Sequence, residues 1–120
     1  MQIKNYKDLI VWQKSIDLVD EIYKITRLFP KSETYSLASQ MQRAAISIPS
    51  NIAEGHGRNH TKEYVQFLGI SYGSSTELET QLIISKRQYK ELDYEKAETY
   101  LIEVQKMLAG LIRAVNATQS

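Results

Sequence analysis

Apolar side chains in this 120-residue chain recur at helical spacing in four separate stretches, and strand-like alternation is rare. Intervals of three and four residues place side chains on one face of an α-helix. The first stretch carries a stripe with this spacing, formed by Leu9, Trp12, Ile16, Val19, Tyr23 and Thr26. A second stripe lies beside it, formed by Leu18, Ile22, Ile25 and Phe29. Because two stripes make a wide apolar face, the pattern predicts a bundle core rather than a two-stranded coiled coil.

Breaks in this pattern divide the chain into four predicted helices, at residues 6–28, 35–54, 61–89 and 94–116. Pro30 ends the first helix, because proline has no N–H to donate and restricts the residue before it. The glycines of Gly55-His56-Gly57 end the second. Thr61 and Asp93 are residue types that cap helix N-termini. Since short connections favour antiparallel neighbours, we expect a single all-α domain, an antiparallel up-down four-helix bundle.

Pro49 lies inside the second predicted helix. Proline removes the hydrogen bond to the carbonyl of Ala45, so a kink is expected there. The side chain of Ser50 or Asn51 can satisfy the freed carbonyl. We therefore expect a structural polar network around the kink, comprising Ser50, Asn51, Glu54 and Arg58 and bordered by Gly55 and Gly57. A binding surface formed by the same residues is the alternative.

Some apolar residues do not fit the core stripes. Three pairs point to opposite sides of their helices: Val11 and Leu9, Ile46 and Ile48, and Ile84 and Leu82. Val11, for example, lies about 200° around its helix from Leu9. Scattered surface apolar residues are normal, whereas a second apolar face indicates an oligomer. We predict an oligomer with Val11, Ile46 and Ile84 at its interface, so that Ile46→Glu disrupts assembly.

Composition restricts the possible functions. The chain has no cysteine, which excludes disulfides and thiolate metal sites and fits a reducing cytoplasm. Its N-terminus lacks the apolar core of a signal peptide, and no apolar run approaches the roughly 20 residues of a membrane span. We therefore expect a cytoplasmic protein with no membrane partner. The net charge of +1 means that phosphate backbones can be bound only through local or repeated basic clusters.

Four ordered segments resemble a known family. The central one, residues 43–58, reads RAAISIPSNIAEGHGR; the others are YKDLIVWQ at 6–13, Phe29-Pro30, and GSSTELETQL at 73–82. In this order and spacing they resemble the 23S rRNA intervening-sequence protein family of bacterial four-helix bundles. The resemblance covers nearly the whole chain. It implies a bundle often assembled as a ring of five subunits, so a homopentamer is the expected state. A related branch is the accessory protein of diversity-generating retroelements, which partners a reverse transcriptase and nucleic acid.

Two groups of basic residues are candidate nucleic-acid contacts. The first lies at the end of the third helix and consists of Lys86, Arg87 and Lys90. Basic residues there also complement the helix dipole, and Tyr89 beside them could stack a base. The second group surrounds the central segment and consists of Arg43, Arg58 and Lys62.

The candidate metal and acid–base pairs are poorly placed. His56 and His60 have a spacing that can bind one metal on a helix, but Gly57 interrupts them and no third ligand lies nearby. Glu77 and Glu79 are two residues apart and so face away from each other on a helix. The glycines at 55 and 57 follow a helix, whereas a phosphate-binding loop follows a strand. We therefore predict a non-enzymatic protein without cofactor or metal.

These observations leave two functional hypotheses. The leading one is a self-associating bundle that binds or scaffolds RNA, DNA or a nucleic-acid-processing protein, mainly by resemblance. The alternative is a protein-only assembly or adaptor factor with no nucleic-acid contact, which the near-neutral charge favours. An enzyme would require a convergent acid, base or nucleophile.

Overall fold

Four α-helices make up most of the chain in the computed structural model, which describes residues 5–118. A 3₁₀ turn at Tyr6–Asp8 precedes α1, and another at Lys31–Glu33 precedes α2. The helices are α1 (Ile10–Thr26), α2 (Leu37–His56), α3 (Thr61–Gln88) and α4 (Glu95–Ala117). The described residues contain no strand, so the predicted all-α fold class is confirmed.

The first helix differs from its predicted bounds at its start. Leu9 has an extended backbone (φ −72°, ψ 126°), which separates the Tyr6–Asp8 turn from α1. Asn5 caps this turn, because its Oδ1 accepts a hydrogen bond from the backbone N–H of Lys7 at 2.9 Å. The prediction of one continuous helix from Tyr6 is therefore wrong by one short turn.

The second helix continues past its predicted end. Gly55 and His56 are helical, and Gly57 is the residue that follows the last helical turn.

At the start of α3, the capping position belongs to His60 rather than Thr61. At the start of α4 the capping position belongs to Tyr94, and Asp93 just before it accepts a hydrogen bond from the backbone N–H of Glu95 at 3.0 Å. Pro49 lies within α2, where the kink stays a prediction.

Side-chain contacts give the relative direction of the helices. Between α2 and α3, Gly55 lies beside Phe67, while earlier in α2 Ile48 accepts a hydrogen bond from a residue later in α3, Ser71. Residue numbers therefore run in opposite directions across this pair, and α3 and α4 show the same relation. Within the described residues, α1 packs on α2 and α4, and α3 packs on the same two helices. This arrangement is compatible with the predicted up-down bundle.

The hydrophobic core corrects one prediction about α1. Val11 is only 5% exposed and belongs to the core, so its assignment to an oligomer interface is wrong. The helical angle was counted from Leu9, which lies before the helix begins. The buried residues of α1 instead follow the second predicted set, with Val11, Ser15 and Thr26 added: Val11, Ser15, Leu18, Ile22, Ile25 and Thr26. Leu9, Trp12 and Val19 pack at its edge and are partly buried.

Small residues bring α2 and α3 close together. A Cβ atom built on Gly55 would lie 2.7 Å from the Cβ of Phe67, so only glycine fits this crossing without a shift. Farther along, the buried Ser71 hydroxyl donates to the carbonyl of Ile48 at 2.8 Å. The hydroxyls of Ser47 and Ser74 are also hydrogen-bonded to each other at 2.8 Å. We call this contact, formed by Gly55, Ser47, Ser71 and Ser74, the α2–α3 seam.

Candidate interaction surfaces

An apolar groove of about 300 Å³ runs along the outside of α1 and α2. Its wall is formed by Tyr6, Trp12, Ile16, Val19, Ile46, Pro49, Ser50 and Ala53. The rings of Tyr6 and Trp12 meet edge to face at 5.3 Å, so the 3₁₀ turn closes one end of the groove. A lining of this kind suits an inserted apolar side chain rather than acid–base chemistry. We call this surface the α1–α2 groove.

A second apolar surface lies between α3 and α4. It surrounds a shallow cleft of about 100 Å³ lined by Glu79, Leu82, Ile83, Glu98, Leu101 and Ile102. Ile83 is 53% exposed and Ile102 is 51% exposed. Because neighbouring helices pack in the order α1, α2, α3, α4 and back to α1, this surface is opposite the α1–α2 groove. We call it the α3–α4 face.

The two surfaces differ in the charges at their edges. At the groove, Arg43 is exposed one turn before Ile46, and the Lys7 ammonium lies 5.9 Å from the centre of the Tyr6 ring. At the opposite surface, Glu79 and Glu98 border the cleft. Their carboxylates accept hydrogen bonds from Gln105 (3.2 Å) and Lys86 (2.9 Å), respectively. The groove therefore has a basic edge. The acidic edge of the α3–α4 face consists of Glu79, whose partner is a neutral amide, because Lys86 balances the charge of Glu98.

Of the three predicted interface residues, two are exposed. Ile46 is 42% exposed on the wall of the α1–α2 groove. Ile84 is 43% exposed and lies on the same side of α3 as Gly73 and Ile70. A Cβ built on Gly73 would meet nothing within 4 Å, and the same is true of Gly69. These glycines therefore face outward and do not serve a close approach between helices within the subunit.

The basic cluster at the end of α3 is partly neutralised. Lys86 pairs with Glu98 of α4, whereas Arg87 and Lys90 are exposed. Tyr89 does not present a free ring, since it packs on Phe29 with the ring centres 4.9 Å apart. Its hydroxyl donates to the carboxylate of Glu33, and this hydrogen bond raises the pKa of Tyr89 to about 12. The proposed stacking role of Tyr89 is therefore wrong for this conformation.

The second basic group does not form one patch. Arg58 is held between the carboxylates of Glu54 (3.3 Å) and Glu63 (3.8 Å), with its guanidinium 5.0 Å from the centre of the Phe67 ring. Lys62 lies beyond it, in an open cleft of about 540 Å³ at the start of α3. Arg43 is fifteen residues before Arg58, which corresponds to roughly 22 Å along a helix. The structure thus separates Arg43 from the other two.

The predicted polar network around Pro49 exists in two separate parts. Asn51 donates to both the carbonyl (2.8 Å) and the hydroxyl (2.9 Å) of Ser47, which joins it to the α2–α3 seam. Glu54 binds Arg58 one turn later on the exposed side. Ser50 or Asn51 is expected from the sequence to bond to the carbonyl of Ala45. In the structure the amide of Asn51 instead reaches Ser47, and Ser50 lies on the wall of the α1–α2 groove.

Sequence reasoning missed several residues that shape these surfaces. Ser47 and Ser74 were overlooked, although Ser47 lies one helical turn before Asn51 and so within reach of its amide. Tyr35 was also overlooked, yet it is 95% exposed in the connection before α2. Its position between Pro30 and Leu37, outside any apolar stripe, was the available signal.

Neither a metal cluster nor a membrane span is found in the described part of the chain. Between residues 5 and 118, no group of three or more His, Cys, Asp or Glu side chains is arranged to hold a metal ion. The helices described there are also not apolar enough over a sufficient length to cross a bilayer.

The fold and its surfaces define a small all-α protein of four helices with apolar surfaces on two opposite flanks. The chain belongs to the 23S rRNA-intervening sequence protein family, whose model matches residues 7–110. This confirms the family expected from the four sequence segments. The match places the chain in a family of unknown function.

A solved structure shares the fold. It is the crystal structure of a protein with unknown function from the S23 ribosomal protein family of Bacteroides thetaiotaomicron. The TM-score is 0.78 at 21% sequence identity, over 87% of this chain and 96% of that chain. At this identity the likeness shows the fold alone. No curated protein matches the chain.

Proposed function

We propose that this chain is a non-catalytic, self-associating helical bundle that acts as a binding or scaffold module. The observation that carries the proposal is the pair of apolar surfaces on opposite flanks, the α1–α2 groove and the α3–α4 face. An exposed apolar surface that extends over several residues is typical of an interaction site. The carboxylates at the α3–α4 face are engaged by Gln105 and Lys86, which argues against an acid–base role for them.

The α1–α2 groove of one subunit is suited to contact the α3–α4 face of another subunit. Ile46 in the groove and Ile83 and Ile102 on the face are each between 42% and 53% exposed. Fully burying an exposed isoleucine side chain contributes about 1.5–3 kcal/mol, and each of these is already about half buried, so covering each contributes roughly half of that. The basic edge of the groove, with Arg43, opposes the acidic edge of the face, with Glu79. Complementary edges of this kind fix orientation and suppress incorrect pairings.

A contact between two different surfaces joins copies head to tail. Such heterologous contacts produce a closed ring when the rotation between copies closes, and a filament when it does not. Because the surfaces lie on opposite flanks, one subunit can use both at once. A closed ring agrees with the homopentamer expected from the family resemblance, and we propose that state for this chain.

The experiment that tests self-association is light scattering on purified protein. Wild type is expected to have a mass several times that of the 13.8 kDa subunit. The Ile46→Glu variant should have the mass of a monomer and unchanged helicity, because a buried unpaired carboxylate costs several kcal/mol at an interface. The matched control is Ile10→Glu, at a residue that is 62% exposed and lines neither surface. Wild type of monomeric mass would overturn the proposal.

For the molecule that the assembly binds, nucleic acid or a nucleic-acid-processing protein is our leading proposal. It is supported by membership of a family named for segments within ribosomal RNA genes and by exposed cations such as Arg87 and Lys90. The second candidate is a protein-only adaptor, and the net charge of +1 favours it. Titration of RNA and single-stranded DNA against salt separates them, since phosphate contacts weaken steeply with salt. Absence of binding at low salt would leave the protein-only adaptor.

A further inference from the structure

Tyr35 is the most exposed large apolar or aromatic side chain of the described residues, at 95%. It lies in the connection between α1 and α2, two residues after the end of the Lys31–Glu33 turn. The backbone around it is nevertheless fixed by a series of turns. The N–H of Glu33 donates to Pro30 O at 2.9 Å, and the N–H of Ser36 donates to Glu33 O at 3.0 Å. The ring is therefore presented on an ordered backbone with both faces open to solvent.

The α1–α2 connection is attached to the α3–α4 connection. Phe29 and Glu33 of the first both contact Tyr89 of the second, through the ring and the hydroxyl, respectively. The Tyr94 hydroxyl, which is buried, donates to the carbonyl of Tyr89 at 2.8 Å and holds the second connection in place. Tyr35 and the residues that follow α3 therefore lie at the same end of the bundle.

This end also carries exposed cations. Arg27 and Lys31 lie in the α1–α2 connection, Arg87 in the last turn of α3 and Lys90 in the α3–α4 connection, and all four are exposed. Among the nearby carboxylates, Glu98 pairs with Lys86. Glu33 and Asp93 accept hydrogen bonds from neutral donors and keep their charge, so with Glu91 and Glu95 they balance the four cations. We call Tyr35 together with these four cations the Tyr35 end.

We propose that the Tyr35 end binds single-stranded nucleic acid, with a base stacked on Tyr35 and neighbouring phosphates held by Lys31, Arg87 and Lys90. Stacking on an aromatic ring is a principal source of affinity for single strands, and every base has a face that can stack. Paired bases in a duplex are not available for it. Because positive and negative charges balance at this end, individual cations can contact phosphates, but stacking must supply most of the affinity. This inference rests on the nucleic-acid part of the proposed function and does not depend on self-association.

Assembly into a ring would strengthen the binding of single-stranded nucleic acid. In a ring built by rotation about one axis, equivalent ends of all subunits lie on the same rim. A single strand long enough to reach several of them would bind with the avidity of linked sites. A longer oligonucleotide should therefore bind an assembled ring more tightly than it binds the Ile46→Glu monomer.

The test is fluorescence anisotropy at low salt with labelled oligouridine, oligothymidine and a mixed-sequence duplex. Both single strands should bind more tightly than the duplex; a preference between them would show whether RNA or DNA is the better ligand. Tyr35→Ala should weaken single-strand binding roughly tenfold, and Tyr35→Trp should preserve it. The matched control is Tyr72→Ala, at a residue 37% exposed on α3 and outside the Tyr35 end. Lys90→Gln should reduce the salt slope by about one phosphate contact.

Three results would overturn the proposal: equal binding of duplex and single strand, unchanged binding by Tyr35→Ala, or no binding at low salt. Circular dichroism and light scattering of the same samples monitor the fold and the assembly. If Tyr35→Ala keeps its fold and its assembly but loses binding, the loss is due to the missing tyrosine side chain. If wild type assembles but binds no nucleic acid, the self-association proposal survives and this one fails.

Discussion

The two flanks of α2 are packed in opposite ways. Toward α3, the helices approach so closely that a Cβ on Gly55 would lie 2.7 Å from Phe67, and the hydroxyl of Ser71 reaches the backbone of Ile48. Toward α1, large side chains such as Trp12 and Ile46 stand around an open groove of about 300 Å³. One side of α2 is therefore closely packed within the subunit, and the other side leaves apolar surface exposed.

This difference separates stability from assembly. Close packing with small residues and buried hydrogen bonds determines one arrangement of α2 and α3. Added volume or a lost hydrogen-bond partner there directly lowers the stability of the subunit. Exposed residues of the α1–α2 groove such as Ile46 lack such constraints, so they can change without unfolding the subunit. Substitutions in the seam should thus alter the free energy of unfolding, whereas substitutions in the groove should alter the mass of the assembly.

The largest loss of stability is expected from Gly55→Ala. The new methyl group would overlap the Cβ of Phe67, which cannot rotate away, so the two helices must separate. Overpacking of this kind costs about 1–3 kcal/mol. Urea unfolding at fixed protein concentration measures it. Gly57→Ala is the matched control, since its Cβ would lie no closer than 3.6 Å to any atom; an equal loss in both variants would refute close packing as the cause.

A smaller loss is expected from Ser71→Ala. The substitution removes the hydrogen bond to the carbonyl of Ile48 in a fully buried position, which should cost about 1 kcal/mol. Thr76→Ala is the comparison, because the Thr76 hydroxyl bonds to Gly73 of its own helix on the exposed side. If both substitutions gave the same change, the bond across the seam would have no special contribution.

A gain in stability of similar size is expected from Gly73→Ala. A Cβ there meets nothing within 4 Å, so alanine should stabilise α3 by about 1 kcal/mol through its higher helix propensity. Thermal unfolding of the Ile46→Glu background, in which assembly should be absent, gives the cleanest value. Destabilisation in this monomeric background would contradict the exposed position of Gly73.

The smallest effect on the subunit is expected from Ile46→Ser in the groove. Ile46 is 42% exposed, so its truncation should change the unfolding free energy of the isolated subunit by less than about 1 kcal/mol. Its effect should appear instead as a weaker assembly in sedimentation velocity. A subunit destabilised as strongly as by Gly55→Ala would show that the groove belongs to the core.

Periodicity was sufficient to predict the four helices and the fold class, because most buried residues lie on the apolar stripes. It failed for Val11, since the helix begins only after Leu9 and the angle between them has no helical meaning. It also misread Gly55 as a helix end, because a glycine that admits a neighbouring helix looks the same in sequence as one that terminates its own.

The surfaces were harder to predict for a related reason. Whether a tyrosine is free to stack depends on its tertiary neighbours: Tyr89 is covered by Phe29 and bonded to Glu33, while Tyr35 is open. Basic residues near each other in a segment are likewise neutralised by partners from other helices, as Lys86 is by Glu98. Single-residue patterns carry no information about these long-range contacts.

The central claim, that the α1–α2 groove of one copy receives the α3–α4 face of the next, is tested most directly by mixing two variants. Ile46→Glu damages only the groove, and Ile102→Glu damages only the opposite face. Each variant alone should sediment as a monomer. An equimolar mixture should form a dimer and stop there, because one intact groove and one intact face remain to pair. Variants that stay assembled alone, or a mixture that stays monomeric, would contradict the claim.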